Sequence, residues 1–234
     1  MTDTPRLALP VIEAAQAQKH VTHNEALVLL DALTQLAVES RTLTTPPGSP
    51  ADGACYIPAA GASDGWSDWD GQIALYSGGG WLKIVPVSGL KAWVKGERLT
   101  VTYEDGSWRD GIALTANGGR VTLRAKEEEL TLTGAFVETA DAAFLPNRSI
   151  VLGVAARTTL AITGATSYAV GIAANTTQFG DLLGGALDST NVGVIGPAAF
   201  YADTKVRVTA NGGSFAAGKV RLIAYFLEMT APGA

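Results

Sequence analysis

Lys219-Val-Arg-Leu-Ile-Ala-Tyr-Phe-Leu-Glu-Met229 is the stretch whose reading decides the fold. Side chains alternate between the two faces of a strand, so Val220, Leu222, Ala224 and Phe226 share one face and Arg221, Ile223, Tyr225 and Leu227 the other. An antiparallel strand that is apolar on both faces is buried twice, and a neighbouring subunit is one way to supply the second cover. Upstream, β-prone segments at 130–138, 149–157, 168–173, 192–195 and 205–209 follow one another with Gly, Asn or Pro between them. Strand signals repeated every ~8–12 residues predict a sandwich or jelly roll over residues 130–234. The intervening loops, near 176–181, 188–191 and 202–204, hold most of that region's ligand-capable side chains.

Before this domain the chain repeats itself at an offset of 39 residues. Trp69-Asp-Gly-Gln-Ile-Ala-Leu-Tyr-Ser-Gly-Gly-Gly-Trp81 lies over Trp108-Arg-Asp-Gly-Ile-Ala-Leu-Thr-Ala-Asn-Gly-Gly-Arg120. Each copy reads as strand, glycine turn, strand, and Asn117-Gly118 is a strong two-residue hairpin signal. All five Trp fall between residues 66 and 108. Aromatic faces can stack on sugar rings, but the shared register of Trp69 and Trp108 favours small hairpins with tryptophan cores. A stiff Thr44-Thr-Pro-Pro-Gly-Ser-Pro50 linker opens this region, which is assigned to residues 44–129.

Residues 1–43 read as helical. No Gly or Pro occurs from Val11 to Ser40, and Thr22-His-Asn-Glu25 fits a capping box. A helix over 11–20 and a second over 23–40 are expected. Ala26, Leu29, Leu30, Leu33 and Leu36 form an apolar stripe in the second, suited either to oligomerisation and attachment or to packing on the chain's own β domain. His20 and His23 read as a solvated pair beside the helix break, and no metal site is expected.

The fold class is therefore mainly β with N-terminal α-helices: a small β-hairpin repeat region, then a C-terminal β-sandwich or jelly-roll-like domain. Composition narrows the function. Net charge is −5, which argues against a protein that tracks nucleic-acid phosphates or docks on an anionic membrane. Residues 142–234 carry only four acidic and six basic side chains, so extensive burial is expected there. One cysteine, Cys55, allows no intramolecular disulfide and no thiolate zinc site. Lacking a signal peptide or an apolar run of membrane-spanning length, the chain is expected to be made in the cytoplasm and to leave by a route such as lysis.

Catalytic constellations are sparse. Gly61-Ala-Ser-Asp-Gly65 matches the G-x-S-x-G string, yet the nucleophile elbow needs a strand before it and a helix after it. Asp68 with Asp70, or Asp181, Asp188 and Asp203, could supply a glycosidase pair, but turn roles explain these carboxylates more simply. No phosphate-binding loop, dinucleotide fingerprint or calcium loop occurs. No catalytic residue and no cofactor are assigned.

Leu7-Ala-Leu-Pro, Gln16-Ala-Gln-Lys-His-Val-Thr-His-Asn-Glu-Ala-Leu27, Leu30-Asp-Ala-Leu33, Pro46-Pro-Gly, Gly53-Ala-Cys-Tyr-Ile57, Gly71-Gln-Ile-Ala-Leu-Tyr and Gly79-Gly-Trp81 resemble a phage-associated family. It is a domain of unknown function of alphaproteobacterial prophages and gene transfer agents, and the resemblance covers about residues 5–110. Ile195-Gly-Pro-Ala-Ala-Phe-Tyr-Ala-Asp203 and Thr209-Ala-Asn-Gly-Gly-Ser-Phe215 are similar to the tails of such proteins. The resemblance implies a non-enzymatic head spike or fibre, seated on capsid or head-vertex proteins or on a second spike protein, that binds host capsular polysaccharide at the surface of particles released by lysis. A homo-oligomer, with a trimer favoured, would raise a modest affinity per site through multivalency. Candidate glycan contacts, chosen as loop or strand-edge polar and aromatic residues, are Tyr168, Asn175, Asp181, Asn191, Tyr201 and Asp203. The alternatives are a capsule depolymerase using the acidic residues above and a purely structural adaptor for another fibre protein.

Overall fold

The computed structural model describes residues 3–9, 11 and 19–233. The chain divides into two compact units, Met1–Asp110 and Gly111–Ala234. The −5 charge belongs to the first; the second carries nine acidic and nine basic residues and is neutral.

In the first unit, α1 (Lys19–Leu33) precedes β1 (Ala37–Val38), β2 (Cys55–Tyr56), β3 (Ile73–Ser77), β4 (Gly80–Ile84), β5 (Lys91–Val94), β6 (Leu99–Glu104) and β7 (Ser107–Asp110). They form one sheet in the order β4-β3-β2-β1-β5-β6-β7, in which β1 runs parallel to both β2 and β5. Strand alternation gives the sheet two apolar faces. Cys55, Ile73 and Leu75 pack with Ala32 and Leu36, while Tyr56 and Ala74 pack with Trp66, against which Trp81 stacks edge-on at 5.0 Å.

The helix differs from expectation at both ends. α1 runs unbroken through Thr22–Glu25, so the capping-box residues lie inside it; the helix expected over 11–20 falls mostly on residues outside the described ones. It stops at Leu33, not at 40. Gln35 takes a left-handed φ of 51°, Leu36 turns into the core, and Ala37–Val38 pairs as a strand. An N-terminal strap holds this stop in place. The Arg6 guanidinium donates to the carbonyls of Asp31, Ala32 and Gln35, satisfying acceptors that a helix C-terminus leaves open. In return the buried Asp31 carboxylate accepts from the backbone N–H groups of Arg6 at 2.9 Å and Leu7 at 2.5 Å. Gly53, with φ of 78°, makes room for the strap, since a Cβ there would lie 2.8 Å from Pro5 Cγ.

The two repeat copies keep their hairpins but not their surroundings. The first copy supplies β3–β4, closed by the pair Ser77 and Gly80. The second straddles the division after Asp110: Trp108 lies in β7 of the first unit, while Ala113–Leu114 and Arg120 belong to the second. Trp69 sits in the turn before β3, and Trp108 Nε1 donates to Gly71 O at 2.8 Å.

The second unit contains β8 (Ala113–Leu114), β9 (Arg120–Thr131), β10 (Phe136–Glu138), β11 (Ser149–Thr163), β12 (Ser167–Ile172), β13 (Asn175–Leu183), β14 (Thr190–Phe200), β15 (Arg207–Asn211) and β16 (Ala217–Thr230). One sheet has the order β10-β15-β12-β13 and the other β14-β11-β16-β9-β8. β9 pairs with β16, β10 with β15, β11 with β14 and β12 with β13. Over β9–β16 the first strand pairs with the last and the second with the second-last: this is a long hairpin of eight strands rolled into a sandwich, the jelly-roll topology, with the two-residue β8 added at the edge beside β9. Its core joins Val170, Phe179 and Val208 of one sheet to Val151, Leu222 and Phe226 of the other, each burial contributing about 1.5–3 kcal/mol. At one margin the sheets nearly touch, because Gly193 carries no Cβ: one would lie 1.9 Å from Phe179 O.

Two strand expectations change. The segment 130–138 is broken after Thr131, and 175–183, expected as a loop from 176, is the edge strand β13.

Candidate binding face and loops

The six candidate glycan contacts do not converge. Tyr168 is a core residue, 1% exposed, with its hydroxyl 3.3 Å from Thr158 Oγ1 and its pKa pushed up by burial. Its expected strand-edge position is therefore corrected: it alternates with Ser167 and Ala169 and points inward. Asn191 is committed to the backbone, donating through Nδ2 to Phe179 O at 2.9 Å across the margin between the sheets. Asn175 caps the β12–β13 turn by accepting from Thr177 N–H and Oγ1. Tyr201, 83% exposed, and Asp203, which accepts from Asn147 N–H at 2.8 Å, lie in the β14–β15 loop. Strand directions put that loop and the Asn175 turn at the same end of the sandwich.

Asp181 belongs elsewhere, on the outward face of the four-stranded sheet, where its carboxylate accepts from Asn211 Nδ2 at 2.9 Å. Registers assemble this face in rows. Phe136 pairs with Thr209 and Thr209 with Ala169; Glu138 pairs with Arg207 and Arg207 with Gly171; Asn211 pairs with Ser167. The inward parity of the same strands is Val137, Val208 and Ala210. The half-exposed Phe136 ring carries the Arg207 guanidinium 4.1 Å from its centroid, and Arg207 is held by Glu138 Oε1 at 2.7 and 2.9 Å. The small residues between these rows are covered: Ala169 is buried, and the outward side of Gly171 is closed by the Asn175–Thr176 backbone, with Asn175 O 2.1 Å from where its Cβ would be. An aromatic ring fixed next to amide, carboxylate and guanidinium groups suits a polyhydroxylated ligand that has apolar C–H faces. Phe136, Arg207, Thr209 and Asn211 escaped the sequence reading. Their shared parity opposite Val137 and Val208 was the available signal.

Four of the acidic candidates for hydrolysis, Asp70, Asp181, Asp188 and Asp203, are tied to local partners. Asp70 accepts from Gly61 and Ala62 N–H, which hold its carboxyl below the usual range. Asp188 pairs with Arg157 at 2.7 Å. Ser63 of the G-x-S-x-G string sits exposed before a single 3-10 turn, without the strand and helix of an elbow. Burial pushes the Cys55 thiol up to about 11, so it stays protonated near neutrality. Among the described residues no cluster of three metal-ligating side chains occurs, and no helix is long and apolar enough to cross a membrane.

The attachment stripe is split. Leu36 is buried and Leu33 packs on the core, whereas Ala26, Leu29 and Leu30 face outward. The helix's inner face is instead Val28, Asp31 and Ala32. Beside the outer face, a groove of about 630 Å³ runs between α1 and the β3–β4 hairpin, lined by Val28, Leu29, Leu82, Glu25 and Lys83. His23 is exposed on α1.

The fold and face define a two-unit protein with a jelly-roll sandwich as its second unit. A family model described as protein of unknown function (DUF2793) matches residues 23–109, a span inside the first unit. No curated protein matches the chain. Among solved structures, a chain of the cyanophage Pam1 capsid asymmetric unit aligns at 20% identity and a TM-score of 0.36, over 53% of this chain and 96% of that one. A likeness at that level establishes neither topology nor role.

Proposed function

We propose that this chain is a non-enzymatic spike or fibre of a phage-like particle of the gene-transfer-agent kind, attached through its first unit and binding host capsular polysaccharide through its second. The observation that carries the binding half is the outward face of the four-stranded sheet, where the half-exposed Phe136–Arg207 stack stands on the same face as Asn211 and Asp181. A neutral jelly roll meets an acidic capsule without net repulsion. The attachment half draws on the resemblance of residues 5–110 to the gene-transfer-agent family and on the groove beside Leu29. Carboxylates engaged by backbone N–H groups or arginine favour adhesion over hydrolysis, since a glycosidase needs one carboxyl held protonated.

The test incubates the full chain with capsulated and uncapsulated cells and follows both retention and new reducing ends. Retention on capsulated cells without chain cleavage is expected. Sustained release of reducing ends would replace this reading with a depolymerase, and equal retention on both cell types would leave a structural adaptor.

A further inference from the structure

The last long strand was expected to need two covers, and within its own unit, among the described residues, it has one. Val220, Leu222, Ala224 and Phe226 are sealed in the core, but the other face of β16 looks out from the five-stranded sheet. Registers extend that outward face sideways. Tyr225 lies beside Gly153 and Val194 on one flank and Ala125 on the other; Ile223 lies beside Ala155 and Val192; Leu227 lies beside Ile150 and Leu123. Val192 and Val194 are 70% and 75% exposed. Gly153 and Ala155 leave a trough between these valines and the Ile223–Tyr225 ridge, an apolar groove of about 200 Å³ around Gly153. Charge enters only toward one end, as Glu127, Glu129, Arg157, Asp188, Lys219 and Arg221, where Arg221 pairs with Glu129 at 3.0 Å, Lys219 with Glu129 at 3.4 Å and Arg157 with Asp188 at 2.7 Å.

We propose that this outward sheet face is the contact between copies of this chain. Its size fits. Its four long strands, β14, β11, β16 and β9, spaced ~4.8 Å and ~3.3 Å per residue, give the apolar part, from Ile223 to Met229, a projected area of ~450 Å². From Lys219 to Thr230 the whole face comes to ~750 Å², close to the ~800 Å² per partner of a stable interface. An apolar centre with a polar margin is the anatomy of such an interface. The charge pattern selects the occupant: three acidic side chains (Glu127, Glu129, Asp188) and three basic ones (Arg157, Lys219, Arg221), paired within the chain, offer no net sign to an acidic or basic partner and no repulsion to a second copy. Ridge and trough side by side are self-complementary, so the valines of one copy can enter the trough of the next. This rests on the spike reading for its purpose, but mass and capsule binding are separate readouts and can fail separately.

Light scattering of the full chain at micromolar concentration tests it. A mass of at least twice 24.1 kDa is expected for the wild type, falling to 24.1 kDa for Val194→Lys and for Val192→Lys with circular dichroism unchanged. Leu30→Lys on α1 should keep the wild-type mass. A monomeric wild type overturns the proposal, as does an assembly that survives both valine variants or is dissolved by Leu30→Lys. Should the lysine variants not fold, Val194→Cys provides the reading: maleimide labelling of the assembled protein is expected to be at least tenfold slower than of the same protein dissociated by dilution. Equal rates overturn the proposal.

Discussion

Replacing Asp31 with alanine should loosen the first unit selectively. The buried carboxylate accepts two backbone N–H bonds from the strap, and the strap in turn brings Arg6 to three carbonyls at the end of α1. A hydrogen bond to a charged group contributes ~1.5–3 kcal/mol, but an undocked strap regains water, so the net loss is about 3 kcal/mol rather than the full sum. With a urea slope of ~1.5 kcal/mol/M for a unit of this size, the midpoint should fall by ~2 M. The assay is specific because all five tryptophans lie in residues 66–108, so tryptophan emission follows the first unit alone. Arg6→Ala should cost a similar amount, and the double variant little more than either, because the two residues act through one docked strap. Additive losses, or a shift below ~0.5 kcal/mol, would refute the reasoning.

Gly193→Ala should destabilise the second unit by about 2–4 kcal/mol, as overpacking between β13 and β14; an unchanged melting temperature would mean that Phe179 O is not as close as 1.9 Å to the added methyl. Phe136→Ala should weaken capsule binding at least ~10-fold, or 1.4 kcal/mol, with little change in melting, whereas Tyr201→Ala should leave binding intact; the reverse pattern would move the site to the β14–β15 loop. Lys126 Nζ and Ala143 N–H, each 2.8 Å from the Asp141 carboxylate, hold its pKa below the ordinary 3.8. A depressed folded pKa gives stability that is complete above the unfolded value and lost as pH falls through the folded one. Wild type should therefore lose more melting temperature below about pH 4 than Asp141→Asn does, and parallel curves would contradict the pairing.

How legible these features were depends on how local their causes are. Alternation along 219–229 requires nothing beyond the strand's period of two, and it gave the sandwich, its core parity and the uncovered face. The helix end could not be read in the same way. Leu36 sits at helical spacing from Leu33, but β1 gains parallel partners at Cys55 and Trp93–Val94, and that pairing with distant residues outweighs local propensity. β13 was missed because Asn175-Thr-Thr-Gln178 is polar, as an edge strand can be. The 39-residue repeat was real in sequence and divided in space, since a hairpin is local whereas the sheet it joins is not.

By itself, then, the sequence determined the elements whose signal is periodic: the β-rich second half, its inward side chains, and a charge carried by the N-terminal part. Only the tertiary structure decided which faces those elements share. Binding faces are made by register between strands far apart in the chain, as when Phe136 meets Arg207 and Val194 meets Gly153 and Tyr225. A candidate chosen for being aromatic at a strand edge, such as Tyr168, can therefore lie in the core while the exposed surface is built by residues that seemed ordinary.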